Sequence, residues 1–185
     1  MDFLHCKQAR SMTEIRLTSN RDMNKEEERR LARKIVRAVA RAFRSCGFLH
    51  TKPTFMVRPC EGFVQFVHFH KYSFGPCFRV HFGIRVMNDS FPAVALNGPS
   101  SDSVGNYWPD EEQTMICTSR LIELVQQEGL PWFSDLSNRE ALLSSPKSPL
   151  IERDRLALLE DMSGQGSKTN RQNSERLLGL PHEGS

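Results

Sequence analysis

Three histidines lie close together in two stretches that alternate like β-strands, and their residue type is suited to metal chemistry. His68 and His70 stand two positions apart, so they point to the same face of a strand. A hairpin closed by pairing Tyr72 with Cys77 places His81 directly opposite His68, about 5 Å away at Cβ. Three imidazoles can hold zinc or a similar metal and leave one position for a water that becomes a nucleophile. One hypothesis is therefore a metal-dependent enzyme that uses His68, His70 and His81.

Two other interpretations of these histidines stay open from the residues alone. Arg79 and Arg85 share the strand face of His81, and their positive charge opposes the binding of a cation. The histidines are then ordinary residues of the less buried sheet face, or they form an anion pocket with the arginines. Because no catalytic signature such as a serine elbow or a phosphate-binding glycine loop is present, we assign no catalytic residue and favour a protein that is not an enzyme.

A row of arginines in the most basic segment is the second feature suited to binding. Residues 25–46 hold 8 basic and 3 acidic side chains, a net charge of +5, while the whole chain carries +3. Steps of three and four residues place side chains on one face of a helix. The row consists of Arg30, Arg33, Arg37, Arg41 and Arg44.

Three counterparts are open for this row of arginines. Residues 1–88 have 17 basic and 7 acidic side chains (+10) and residues 89–185 have 8 and 15 (−7), so the two halves can neutralise each other. An acidic protein and a polyanion such as nucleic acid are the other counterparts. An RNA-recognition sheet is not indicated, because Phe63 and Phe66 are three apart and face opposite ways. We favour a non-catalytic interaction module with an acidic protein partner, and nonspecific polyanion binding is an alternative.

A helix and three strands must position these residues. A helix is predicted over residues 24–46, with Asn24 as its N-cap, one apolar stripe, and Gly47 at its end. Alternating aromatic and β-branched residues then predict strands at 54–58, 63–72 and 77–86. Pairing Tyr72 with Cys77 brings the apolar residues of the last two strands onto one face, as a sheet with one buried face requires.

The rest of the chain is predicted to be helices and loops. Residues 87–106 are interpreted as a long loop. A helix is expected from Pro109 to Gly129, with short helices at 138–143 and from Pro149 to about Met162. The buried stripe of the helix that starts at Pro109 is expected to be Met115, Ile116, Leu121, Ile122, Leu124 and Val125.

The fold class expected from these elements is α+β, a three- or four-stranded antiparallel sheet with the N-terminal amphipathic helix and the C-terminal helices packed on one face. We divide the chain into an N-terminal extension at 1–23 with a short strand at 14–17, one domain at 24–162, and a tail at 163–185. The tail is polar and rich in Gly and Ser, so it is expected to be disordered apart from 177–180.

Composition excludes several classes of protein. The five cysteines are odd in number and widely spaced, which indicates free thiols and neither a disulfide framework nor a zinc ribbon. Apolar runs are far shorter than the roughly 20 residues that span a bilayer. The first residues lack the apolar core of a signal peptide, so we expect a cytoplasmic protein without membrane partners.

The order of these elements resembles a known family. A helix ends in Gly47-Phe48, Trp108 precedes a helix with an acidic start, and Gly129-Leu130-Pro131-Trp132-Phe133 follows. The strands between Phe48 and Trp108 contain the segments at 63–67 and 78–84. This pattern resembles the bacterial family called domain of unknown function 4304 over about residues 30–143. The resemblance implies a small α+β domain from a bacterium, and it brings no established activity or catalytic residue to carry over.

Overall fold

Helix α1 spans Lys25–Ala42 in the computed structural model, which describes residues 23–73 and 75–181. The helix begins at the predicted cap, because the Asn24 side chain accepts a hydrogen bond from the Glu27 backbone N–H. A short 3-10 turn, Arg44–Cys46, follows, and Gly47 ends it in the left-handed conformation (φ 84°). Nearly all of the predicted N-terminal extension, with its short strand at 14–17, lies outside the described residues.

The described residues form one antiparallel sheet of five strands in chain order. The α+β class is thus confirmed. The hairpin register is also confirmed, because Phe63 pairs with Val86 and His68 with His81. The strands are β1 (Leu49–Lys52), β2 (Phe55–Pro59), β3 (Phe63–Lys71), β4 (Cys77–Val86) and β5 (Ser100–Asn106).

The predicted strand count was too low because the two edge strands lack a clear sequence pattern. β1 has only four residues, too few to show alternation. β5 lies within the predicted long loop at 87–106, and its sequence is mostly Ser, Asp, Gly and Asn. Backbone pairing with β4 holds it in place despite that composition.

The C-terminal half contributes several helices, and the first continues further than predicted. Helix α2 (Glu111–Leu124) passes through a π-helical turn, Val125–Gly129, into α3 (Leu130–Asp135). Gly129 does not end the helix, since its backbone is right-handed. Glycine is needed at this position because a Cβ would lie 2.4 Å from the Phe82 ring. The predicted stripe is wrong at Met115, which is 59% exposed, and at Ile116, which is also exposed, whereas Cys117 is buried.

Three further helices follow, and the last of them corrects the prediction of a disordered tail. Helices α4 (Arg139–Ser144) and α5 (Glu152–Met162) lie where expected. Helix α6 (Lys168–Leu178) lies within the tail that was expected to be disordered. Its N-cap Ser167 accepts a hydrogen bond from the Asn170 N–H, and Leu178 is fully buried. Capping and burial of one leucine thus outweigh the polar composition of this segment.

Both faces of the sheet are covered, so the prediction of helices on one face was wrong. On the first face, α1 and α2 pack on the odd-numbered residues of β3 and the even-numbered residues of β4, such as Val67 and Phe82. On the second face, Leu178 of α6 packs on Val64 and Phe66. Among residues 23–73 and 75–181, no helix combines the length and apolar character needed to cross a bilayer.

Candidate binding site: an arginine groove at the sheet edge

Helix α1 presents its arginines to solvent because its opposite face is buried in the core. Ile35, Val36 and Val39 are at most 1% exposed, and they fix the rotation of the helix about its axis. All five predicted arginines are exposed. Arg30, Arg33, Arg37 and Arg41 lie on α1, whereas Arg44 lies in the 3-10 turn that follows the helix.

The arginines line a groove of about 730 Å³, which we call the arginine groove. One wall is α1, and the other is the segment from Phe48 to His50, which leads into and forms β1. The sequence predictions did not include this second wall, because β1 was not predicted. The wall formed by α1 and the 3-10 turn that follows it consists of Arg30, Arg33, Lys34, Arg37, Ala40, Arg41 and Arg44.

The groove runs along the edge of the sheet. Consecutive residues of a strand point to opposite faces. Leu49 pairs with Val57, which belongs to the cluster on the second face, while His50 pairs with Met56, which belongs to the core beneath α1. Because both Leu49 and His50 line the groove, it borders the outer edge of β1 and not one face alone.

Most of the charge in the groove is not neutralised within the described part of the chain. Arg30 forms an ion pair with Glu27 at 2.6 Å, and Arg33 Nε donates to the backbone oxygen of Arg29. No carboxylate of residues 23–73 or 75–181 forms an ion pair with Arg37, Arg41 or Arg44. As far as the described residues are concerned, these three guanidinium groups are available to an external anion.

Within the described residues, the acidic side chains of the second half that form ion pairs do so with basic residues outside the groove. Asp89 pairs with Arg85 at 3.2 Å and with Arg153 at 3.3 Å. Asp161 pairs with Arg171 at 2.8 Å. Residues 1–22, which lie outside the described part, hold four basic and three acidic residues and so carry no acidic excess. The idea that the acidic half neutralises the arginine row therefore finds no support among the described contacts.

His50 adds a titratable group to the groove. Partial burial of its ring, and then the positive charge of Arg37, lower the pKa of His50. This lowering of the pKa favours the neutral imidazole. A bound anion opposes the field of Arg37 and favours protonation, so anion binding and proton uptake by His50 are linked.

The three predicted histidines do gather in one patch on the second face of the sheet. The ring centroids of His68 and His81 are 6.1 Å apart, and His70 lies 6.1 Å from His68 and 6.4 Å from His81. Phe55 stacks on His68 at 4.4 Å. His68 Nδ1 is buried and finds no hydrogen-bond partner among the described residues.

Two histidines of this patch, His68 and His81, have lowered pKa values, which favour the neutral imidazole. Burial, followed by the charges of His81 and His70, lowers the pKa of His68 to about 4. Burial and then Arg79 lower the pKa of His81. Neutral imidazole is the form that binds metal, yet no three His, Cys, Asp or Glu side chains of the described residues are spaced to hold an ion. The zinc hypothesis stays a prediction, which a zinc titration of the wild type and His81→Ala tests.

Arg85 does not join an anion pocket with these histidines. It is 3% exposed, and its Nε donates to Ser174 Oγ of α6 at 2.8 Å. Its terminal nitrogens donate to the backbone oxygens of Asp89, Ala93 and Phe91 at 2.7 to 3.0 Å. Arg85 is thus a structural anchor, and the other arginine of the predicted pocket, Arg79, donates to Ser101 O and Ser100 Oγ.

The fold and the groove define an α+β domain with a basic cleft at one sheet edge. Comparison of the chain with protein-family models, with curated proteins and with solved structures gives no match in any of the three. The resemblance to domain of unknown function 4304 stays a prediction, and function has to be inferred from the groove itself.

Proposed function

We propose that this protein is a non-catalytic interaction module that binds an acidic protein segment in the arginine groove. The observation that carries this proposal is that Arg37, Arg41 and Arg44 line one exposed groove without a carboxylate partner among the described residues. Like charges three and four residues apart repel each other on a helix. The repulsion between these arginines costs stability in the free protein, and an anionic partner relieves it in the complex.

The lining of the groove supports a protein partner over nucleic acid. Proteins that bind single-stranded nucleic acid stack bases on exposed aromatic rings. The phenyl ring in the lining, that of Phe48, is 1% exposed and offers no such platform, so the exposed ring in the lining is the smaller imidazole of His50. Leu49 is 46% exposed there and supplies apolar area for a side chain. Arginine makes bidentate hydrogen bonds with carboxylates as it does with phosphates, so an acidic polypeptide is a suitable partner for these guanidinium groups.

The test uses poly-L-glutamate as a defined acidic probe and reverses two charges of the groove. We expect wild-type protein to bind the probe, with affinity that falls as salt rises from about 0.05 M to about 0.5 M because the arginines are exposed and screened. The Arg37→Glu/Arg41→Glu variant should bind at least about tenfold more weakly. Titration followed by calorimetry measures both effects.

A second double variant controls for net charge. Arg120 on α2 and Arg176 on α6 are exposed and do not line the groove. Arg120→Glu/Arg176→Glu changes the net charge by the same amount and should bind like the wild type. Equal weakening by the two double variants would show that overall charge, and not the groove, attracts the probe, and this would contradict the proposal.

A further inference from the structure

We infer that the occupant of the arginine groove is an extended acidic segment of the partner, which pairs with β1 as a sixth strand of the sheet. This inference rests on the proposed function and specifies the conformation of the partner. A strand edge, a spacing match and a fixed backbone carry it.

The outer edge of β1 is open within the described part of the chain. β1 pairs with β2 along its inner edge, through Leu49 with Val57 and His50 with Met56. No backbone hydrogen bond from another described element reaches Leu49 or His50. An edge strand has unpaired N–H and C=O groups that a further strand can use.

The other edge of the sheet is protected. β5 pairs with β4 through two register shifts, and such irregularities disfavour the addition of a strand. Helix α2 also lies against β5, with Cys117 Sγ 3.7 Å from the backbone oxygen of Gly105. The arginine groove therefore borders the edge that remains suitable for pairing.

The spacing of the arginines fits a strand with an acidic residue at every second position. Arg33, Arg37 and Arg41 are four residues apart on α1, which separates them by about 6 Å along the helix axis. Alternate residues of a strand are separated by about 6.7 Å on one face. Carboxylates at alternate positions can thus meet successive arginines. The remaining side chains of such a strand lie on the face of Leu49, whose exposed side chain offers an apolar contact.

The backbone of β1 is held in place before any partner arrives. Lys52 Nζ donates to the backbone oxygen of Leu177 at 2.7 Å, and Thr51 Oγ1 donates to that of Leu178. Phe48, which precedes β1, is buried against Phe43 and Phe133. An edge that is already ordered loses little conformational entropy on binding.

Alternately N-methylated peptides test this inference without changing the protein. The parent probe is a capped octapeptide in which Glu alternates with Val. One derivative carries N-methyl groups on its Glu residues and the other on its Val residues, so each blocks one edge of the peptide strand. We expect the parent to bind and one derivative alone to bind at least about tenfold more weakly, because it loses several backbone hydrogen bonds. Hydrogen exchange at the amides of residues 49–51 should slow when the parent peptide is bound.

The outcomes separate this inference from the proposed function. If both derivatives bind within about threefold of the parent, or if both are weakened equally, strand addition is wrong, although acidic binding in the groove stands. If neither the octapeptide nor poly-L-glutamate binds, the proposed function itself fails. Tighter binding of oligoadenylate than of the octapeptide would overturn both in favour of nucleic acid.

Discussion

Arginine occurs in two contrasting settings in this molecule. Arg85 on β4 is 3% exposed, and its donors are used by Ser174, three backbone oxygens and the carboxylate of Asp89. Arg37 and Arg41 on α1 are exposed and form no ion pair with the described residues. The same side chain thus holds the structure together in one place and remains available to a partner in the other.

The difference shows that residue type alone does not identify a candidate binding residue. What distinguishes the exposed arginines from Arg85 is that their hydrogen-bond donors are not used by other described parts of the protein. A buried guanidinium is tolerated only when its hydrogen bonds are satisfied. Exposed guanidinium groups satisfy theirs with water, which an anionic partner can replace. Substitution of Arg85 should therefore lower folding stability and hardly change ligand binding. Substitution of the groove arginines should weaken ligand binding and hardly change folding stability.

The largest expected effect is the loss of stability on Arg85→Ala. Three backbone oxygens and Ser174 lose their donor, and Arg153 is the charged partner of Asp89 that remains among the described residues. Breaking a buried ion pair from one side typically costs about 3–5 kcal/mol. Urea unfolding measures the change in free energy. Arg120→Ala, at an exposed position, is the control and should stay within about 0.5 kcal/mol of the wild type. Equal effects of the two variants would show that the buried contacts of Arg85 contribute no more to stability than an exposed arginine does.

The next effect is expected at Ser174→Ala. Ser174 is fully buried in α6, and its hydroxyl accepts the hydrogen bond from Arg85 Nε. Hydrogen bonds to charged groups contribute about 1.5–3 kcal/mol, so the free energy of unfolding should fall by that amount. The exposed Ser119 on α2 offers the matched control, Ser119→Ala. A Ser174→Ala variant as stable as the wild type would indicate that α6 is not docked on the sheet.

His68 differs from both groups of arginines because burial favours its neutral form. Because its pKa is lowered to about 4, the unfolded chain binds a proton near pH 6.5 that the folded chain binds only near pH 4. The stability present above pH 6.5 is therefore lost as the pH falls toward 4. After discounting for the partial exposure of the ring, we expect a loss of about 1–2 kcal/mol. Urea unfolding at several pH values should show this loss in the wild type and a smaller one in His68→Gln. Equal pH dependence in both proteins would contradict it.

The sequence predicts the exposed arginine row much better than it predicts the buried setting of Arg85. The arginine row follows from helical spacing within α1, and the register that joins His68 to His81 follows from matching apolar faces. The second wall of the groove was missed because a four-residue strand has too few positions to show alternation. The burial of Arg85 was missed because its partner Ser174 is 89 positions away, in a helix of polar composition. Local patterns specify helix faces and hairpins, whereas contacts between distant segments decide which charges are buried.

The smallest expected effect has the opposite sign, at Arg37→Gln. Arg33 and Arg41 lie four residues on either side of Arg37, and each like-charge pair at this spacing destabilises a helix by about 0.2–0.5 kcal/mol. Glutamine has nearly the same helix propensity, so its substitution should raise the free energy of unfolding by about 0.5 kcal/mol at low salt. The gain should vanish in about 1 M salt, where the Debye length is about 3 Å. The same variant should bind poly-L-glutamate more weakly, so that stability and binding change in opposite directions. A loss of stability at low salt would instead mean that Arg37 makes a favourable contact in the free protein, and Arg37 would then belong with Arg85.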